Sequence, residues 1–459
     1  MQHSQQPSIR TATAPSKSSS DPQLGELAIS TERPLSEALA AFTRDPFNGF
    51  WDGQSADGVI AANPLLDTPN VRRWFELMEA GLAQSLYTYQ VPLEQASGPE
   101  SSALGSGFIM FSSYSYLGLI GHPRIATAVK EAVERYGTST GGVRLLTGTL
   151  QLHHELEHEL ASFLRQDAAA TFCSGYDANL AAITSLFGSG DVAILDQYAH
   201  QSIVDGVRMA GCELRRFRHN DVEDLERRLR QAKNRGNTRI LVAVDSVFSM
   251  DGDEAPLSEI IQLKKKYHAH LLVDEAHSIG AIGHSGRGVC EAQQLNPADI
   301  DILTGSLSKA IPSAGGFVAG SRALKIYIQH GSAPYMFSAA MTPANAAASL
   351  ETLHMLQEEP DHMERVRRNT QLLREGLHNL GLQTTRANTP IVPVILGDEW
   401  RAYRWARRLL DLGVFVSAVV YPAVSPGQAR LRLCATGAHQ PEHFDALFEG
   451  LANCQELFG

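Results

Sequence analysis

The chain has 459 residues, 43% of them hydrophobic and 19% charged, with a formal net charge of −11. That length exceeds one small core and favours two domains, and the acidic balance argues against a general nucleic-acid binder, which needs a basic surface. Five scattered cysteines without a CxxC pair fit neither a zinc or other metal site nor a disulfide framework, and they predict a reducing, cytoplasmic compartment.

In chain order, residues 1–34 are polar and rich in Ser, Thr, Gln and Pro. They bury too little apolar surface to offset chain entropy and are expected to be a disordered tail. Residues 35–108 form an expected N-terminal extension that packs on the main domain or on a partner subunit, with helical spacing over 71–78. A large domain is expected over 109–342. Helices are predicted over 123–136, 152–164, 176–186 and 201–210, with buried strands at 170–172, 192–196, 240–244 and 271–273. Apolar strands alternating with helices indicate an α/β fold whose mainly parallel sheet is covered on both faces. Ligands collect at the C-terminal ends of such strands, where Asp196, Asp245 and Asp274 fall. The helix over 343–358 leads into a smaller α+β domain, expected over 343–459. Strands are predicted there at 391–396, 414–416 and 430–433, and helices at 400–412 and 441–451. No apolar run approaches the roughly 20 residues of a transmembrane helix.

Lys309 stands among small and hydroxyl residues in Gly305-Ser306-Leu307-Ser308-Lys309-Ala310-Ile311-Pro312. Such a lysine can form an imine with an aldehyde once its amine is partly deprotonated; alone, it reads as readily as a solvated loop lysine. Asp274, in Val273-Asp274-Glu275-Ala276-His277, changes that balance. Together they suggest pyridoxal phosphate. This cofactor needs a lysine, an acid to hold its pyridine nitrogen protonated, an anion site for its phosphate and a flat surface for its ring. Asp274 suits the acid, or else a helix N-cap. His277 is placed to donate to the ring's phenolic oxygen. Ser174-Gly175-Tyr176 opens a helix, where free N–H groups cradle a phosphate, and Ser306 adds a hydroxyl. His200 either stacks on the ring and handles protons or makes a local hydrogen bond at a helix start. Arg430 and Arg432 alternate onto one face of a strand, so one of them either clamps a substrate carboxylate or is a surface arginine on an edge strand.

From Phe111 onward the chain resembles the α-oxoamine synthases, fold-type I pyridoxal-phosphate enzymes with a large mainly parallel domain and a smaller C-terminal α+β domain. The resemblance is carried in order by Ser113-Tyr114-Ser115-Tyr116-Leu117-Gly118-Leu119, Ser246-Val247-Phe248-Ser249-Met250-Asp251-Gly252-Asp253, Val273-Asp274-Glu275-Ala276-His277-Ser278, Ser306-Leu307-Ser308-Lys309, and Arg430-Leu431-Arg432-Leu433 with Ala438-His439. Within the family the first of these runs and the 136–157 stretch lean toward serine palmitoyltransferase.

The resemblance implies that Lys309 carries the cofactor and removes the α-proton, with His200 and His277 as further catalytic groups. Asp274 pairs with the pyridine nitrogen, Ser249 lies near the cofactor, and Ser174, Gly175, Tyr176 and Ser306 surround the phosphate. Ser338 reaches that phosphate from the other subunit of a homodimer. Arg432 holds the substrate carboxylate, with Tyr114 and Ser115 beside it. The implied reaction condenses serine, glycine or alanine with an acyl-CoA or acyl-carrier-protein thioester and releases CO2. An 8-amino-7-oxononanoate synthase or 2-amino-3-ketobutyrate ligase activity, or another fold-type I activity such as an aminotransferase, is the alternative. Ser115, where the family usually has asparagine, and Ala310-Ile311-Pro312, where relatives often carry glycine, serine or phenylalanine, are departures read as bearing on the substrate.

Overall fold

In chain order the strands are β1 (Glu100–Ala103), β2 (Ser106–Met110), β3 (Ala168–Phe172), β4 (Val192–Asp196), β5 (Glu213–Phe217), β6 (Ile240–Asp245), β7 (His270–Asp274), β8 (Ile302–Ser306), β9 (Gly316–Gly320), β10 (Ile391–Gly397), β11 (Val414–Phe415), β12 (Ser417–Val419) and β13 (Ala429–Cys434). They belong to a computed structural model that describes residues 58, 60 and 63–458, apart from 235, 237, 238, 386 and 387. The expected tail and the start of the extension lie outside the described residues.

Seven strands make the main sheet, in the order β3-β9-β8-β7-β6-β4-β5. Only β9 runs antiparallel to its neighbours, β3 and β8. Every residue of β4, β6, β8 and β9 is buried, as continuous apolar strands beneath helices on both faces require. The chain crosses between parallel strands through helices such as Gly175–Leu186, Gln201–Ala210 and Leu257–Tyr267. β5 escapes a reading based on apolar runs, because it is an edge strand with the sequence Glu-Leu-Arg-Arg-Phe. The parallel pairing brings Asp196, Asp245, Asp274 and Ser306 to one edge. Register sets Asp245 opposite Asp274, and Asp274 opposite Thr304.

A second sheet has the order β10-β13-β12 and is antiparallel. β13, which carries Arg430 and Arg432, lies in its centre, so these are not edge-strand surface arginines. The expected single strand at 414–416 is divided: β11 pairs parallel with β2, while β12 pairs with β13. Through β2, the chain before residue 111 joins the C-terminal core, where Ile109 and Phe111 pack with Trp405, Leu409 and Leu447. The last helix, Pro441–Phe458, outruns the expected 441–451 because Leu451 and Cys454 continue its buried face. Among the described residues no helix is long and apolar enough to cross a membrane.

Candidate active site

Asp274 ends β7 with its side chain buried. Its Oδ2 accepts from Asn179 Nδ2 at 2.7 Å, and its Oδ1 from the Ala276 amide at 2.9 Å. The second bond closes a local turn. It does not cap a helix, since the next helix begins only at Val289. Asn179, on the Gly175–Leu186 helix, also donates to Ser202 Oγ at 2.8 Å and accepts from Thr304 Oγ1 at 2.6 Å. Both amide hydrogens are therefore used, and the carboxylate is held from β8 and from two helices.

Ser202 Oγ lies 2.7 Å from His200 Nδ1, and the His200 amide donates to Asp245 Oδ2 at 2.9 Å. His200 is thus the N-cap of the Gln201–Ala210 helix, and its local hydrogen bond fixes an exposed imidazole beside the buried carboxylates. The local hydrogen bond expected at a helix start is present. Desolvation on the protein-facing side of the ring, with the positive charge of Lys309, lowers its pKa against the pull of Asp274.

Lys309 follows β8 in a half-buried turn. Burial pushes its amine below the ordinary lysine range, and Arg432 adds to this while Asp274 and Asp245 oppose it. His277 is buried and held well below the usual histidine range by burial, then by the positive charges of Lys309, Arg432 and His200. Its ring is therefore neutral, and Nδ1 meets Tyr116 Oη at 2.8 Å. Tyr116 Oη also accepts from Arg432 Nη2 at 3.3 Å. Arg432 further donates from Nε to the Ser249 carbonyl at 2.6 Å and from Nη1 to Cys434 Sγ at 3.0 Å. Three of its five N–H groups are thus used within the protein. Ser249 meets Arg432 through its backbone carbonyl.

Ser174 caps the Gly175–Leu186 helix: its Oγ accepts from the Asp177 amide at 3.0 Å and donates to the Asp177 carboxylate at 2.8 Å. A Cβ on Gly175 would stand 3.0 Å from Ser306 Cβ, so glycine lets this helix start approach the end of β8 without displacing it. Ser306 and Ser308 Oγ are 2.7 Å apart. Tyr176 is exposed and donates to Asp205. Ser338 contacts the Cys173 thiol, which donates to the Ala339 carbonyl at 2.7 Å, so within one chain Ser338 already borders the helix start at Ser174. Tyr114 is exposed, whereas Ser115 is buried with no hydrogen-bond partner for its Oγ among the described residues.

Ala310 and Ile311 are each 1% exposed and belong to the main core, with Ala310 Cβ packed against Gly280. Their apolar character suits this packing. Reasoning from sequence did not single out Asn179, Tyr116 or His219. Asn179 lies mid-helix and Tyr116 inside a motif, and neither has a spacing that marks it. The run Arg218-His219-Asn220-Asp221 is the one signal that would have drawn attention to His219.

The family described as aminotransferase class I and II matches residues 106–451. The 8-amino-7-oxononanoate synthase of Thermoanaerobacter pseudethanolicus is 42% identical over 371 residues, covering 81% of this chain and 92% of that protein. Among solved structures, the serine palmitoyltransferase of Sphingomonas wittichii superposes with a TM-score of 0.81 at 33% identity, covering 85% of this chain and 98% of that one. The serine palmitoyltransferase of S. paucimobilis with bound PLP–myriocin aldimine gives 0.80 at 34% identity, covering 84% and 97%.

Proposed function

Because the chain belongs to the α-oxoamine synthase family within the class I and II aminotransferases, we propose that it is a pyridoxal-phosphate-dependent C-acyltransferase. It joins a small amino acid to an acyl thioester. The products are an α-amino ketone, CO2 and a free thiol, with one proton taken up. The observation that carries the reading is Lys309, an amine held below its ordinary range at the sheet edge where Asp274 stands.

The residues fit the cofactor. Gly175 opens a helix start against Ser306, as a phosphate cradle requires. Asp274 is buried and fixed by Asn179, as a partner for a pyridinium requires. When bound, the cofactor supplies an electron sink for the carbanion equivalent of the amino acid. Lys309, partly neutral, holds the cofactor and takes the α-proton. Arg432 orients the amino-acid carboxylate with the N–H groups its own contacts leave over. Because the Tyr116 oxygen already accepts from Arg432, its O–H is free to donate to His277 Nδ1, and the neutral ring then donates from Nε2. His200 lines the exposed side, where an incoming thioester carbonyl would need a donor.

The sequence relatives favour the alternative named above over the serine palmitoyltransferase reading. The name 8-amino-7-oxononanoate puts the amino group on a carbon bearing a terminal methyl, the skeleton of alanine after loss of its carboxylate. L-alanine with a 6-carboxyhexanoyl thioester is therefore the first substrate pair. Serine with a long acyl thioester is the second reading, favoured by the structural neighbours.

A homodimer with shared sites belongs to the same reading. Leu146 and Phe337 are 78% and 80% exposed, and a backbone bridge between Val143 and Ala339 brings their two segments side by side. Such a patch suits a second copy, packed where Ser338 borders the helix start at Ser174. Five free cysteines suit the cytoplasm.

The test has two parts. Borohydride reduction of the PLP-loaded protein, then peptide mass spectrometry, should place a pyridoxyl group on Lys309. A panel of L-alanine, glycine and L-serine against acyl thioesters should release CO2 and thiol together. Amino transfer to a keto acid without CO2 release would sink the reading.

A further inference from the structure

A charged cluster at the β4 side of the sheet edge takes no part in the chemistry above. His219, in the turn after β5, sets Nδ1 3.0 Å from Asp196 Oδ1 and Nε2 2.8 Å from Asp253 Oδ2. Ionised carboxylates only accept, so both ring nitrogens donate and the ring is an imidazolium. Burial opposes that charge, but the bonds to Asp196 and Asp253 outweigh it and hold the pKa at about 10. The rings of Tyr198 and Phe248 enclose it, each at 4.5 Å between centroids. Asn220 reinforces the cluster, its amide donating to Asp196 Oδ2 and its Nδ2 to Asp253 Oδ2, both at 2.9 Å.

Asp253 closes a tight turn over residues 248–253. The Phe248 amide donates to the Asp253 carbonyl at 3.0 Å, and the Gly252 amide to the Phe248 carbonyl at 2.8 Å. The carbonyls inside this turn face the C-terminal sheet. Ser249 O takes Arg432 Nε at 2.6 Å, Met250 O takes Arg430 Nη1 at 3.1 Å, and Asp251 Oδ1 takes the same nitrogen at 2.7 Å. Thr385 and Thr389 donate to the carbonyls of Asp251 and Gly252 at 2.8 and 2.6 Å. The turn is gripped by the C-terminal sheet on one side and by the imidazolium on the other.

We infer that His219 is a positioning residue for Arg432. Through Asp253 and the 248–253 turn it sets where the Ser249 carbonyl stands, and hence where the guanidinium offers its remaining N–H groups to an amino-acid carboxylate. This rests on the reading of Arg432 as the carboxylate ligand.

The test uses the PLP-loaded enzyme with L-alanine and 6-carboxyhexanoyl-CoA varied in turn, and a spectral titration with L-alanine alone. Glycine and L-serine replace L-alanine if it does not bind the wild type. His219→Gln should raise the amino-acid KM and Kd about tenfold, the worth of one displaced charge-assisted hydrogen bond. The thioester KM and kcat should stay near wild type. Asp253→Asn should do the same, and it carries the test if His219→Gln does not fold. His219→Gln placed in an Arg432→Lys background should add no further loss. An unchanged amino-acid KM, or a thioester KM rising in step, overturns the inference. If Arg432→Lys itself leaves the amino-acid KM untouched, the reading of Arg432 fails. If Arg432→Lys raises it and His219→Gln does not, only the present inference fails.

Discussion

Asp245 and Asp274 are register partners on the neighbouring parallel strands β6 and β7, both buried at the edge where Lys309 stands. Two carboxylates so placed do not ionise equally. Burial first, then the charge of Asp274, pushes the Asp245 carboxyl well above its usual range, and the His200 amide only partly offsets this. Asp245 is therefore biased toward its protonated form, which leaves Asp274 as the carboxylate available to a cationic partner. Asp274→Asn is expected to weaken PLP retention and lower kcat by roughly ten- to a hundredfold, the worth of a hydrogen bond to a charged group. Asp245→Asn, which imitates a protonated carboxyl, should cost much less. PLP dialysis rates and kcat at neutral pH check this, and equal losses in the two variants would contradict it.

Asn179 is the hub that holds Asp274, Ser202 and Thr304. Asn179→Ala leaves three buried polar groups short of a partner. The expected cost in folding stability is about 1–3 kcal/mol for each group left unsatisfied, less where a hydroxyl can turn to a new acceptor. PLP affinity should fall with it, because the carboxylate loses its fixed orientation. Urea melts of the apoprotein and PLP titration measure the two effects separately. A variant as stable as the wild type with unchanged PLP affinity would show that Asn179 is not the hub.

The chemistry was legible where residue type alone carried it. Lys309 among small residues, Asp274 at the end of an apolar strand and Ser174-Gly175 at a helix start are each unusual in place. Helices Pro123–Tyr136, Gln201–Ala210 and Pro343–Glu358 were legible because their ends are marked by Pro, by Gly or by a change of polarity. What escaped was decided by long-range register. Asn179 reaches Asp274 because the Gly175–Leu186 helix packs over β8 and β9, beside the end of β7, and no spacing along the chain encodes that. Tyr116 meets His277 and Arg432 from a different part of the chain. The edge strand β5 hid its turn residue His219 because its own charged side chains mask the period. Ala310-Ile311 stood out by its position beside Lys309, and its burial in the main core was not legible from that position.

Ala310 and Gly280 form a contact that is open to direct test. Gly280 has φ +68°, and a Cβ added there would stand 2.8 Å from Ala310 Cβ. Gly280→Ala combines a left-handed backbone with overpacking and should destabilise by about 1–3 kcal/mol. It should also loosen PLP, since Ala310 is bonded to Lys309 and shares its displacement. Ala310→Gly in the same chain should recover the packing part of the loss and leave the backbone part. Thermal melts of the two single variants and the double variant separate the parts. Simple additivity would argue against the contact.

Glu275 supplies a pH dependence with a definite sign. It is buried next to Asp274, accepts from Ser278 Oγ, and takes the Val289 amide at 3.2 Å. Burial, with the charge of Asp274 in support, raises its pKa from 4.5 to about 8. In the folded protein Glu275 therefore keeps its proton up to about pH 8, while the unfolded chain releases it above about 4.5. Between those values the native state binds more protons than the unfolded state, so stability falls as pH rises. Below the lower value the contribution is fully present, and above the upper one it is lost. Glu275→Gln removes the titration and keeps an acceptor for the Val289 amide. Relative to wild type, the variant should gain stability steadily from pH 5 to pH 8 and then level off, by at most a few kcal/mol. Chemical denaturation across that range measures the difference directly. A gap between variant and wild type that stays constant with pH would mean that Glu275 is ionised in the folded protein.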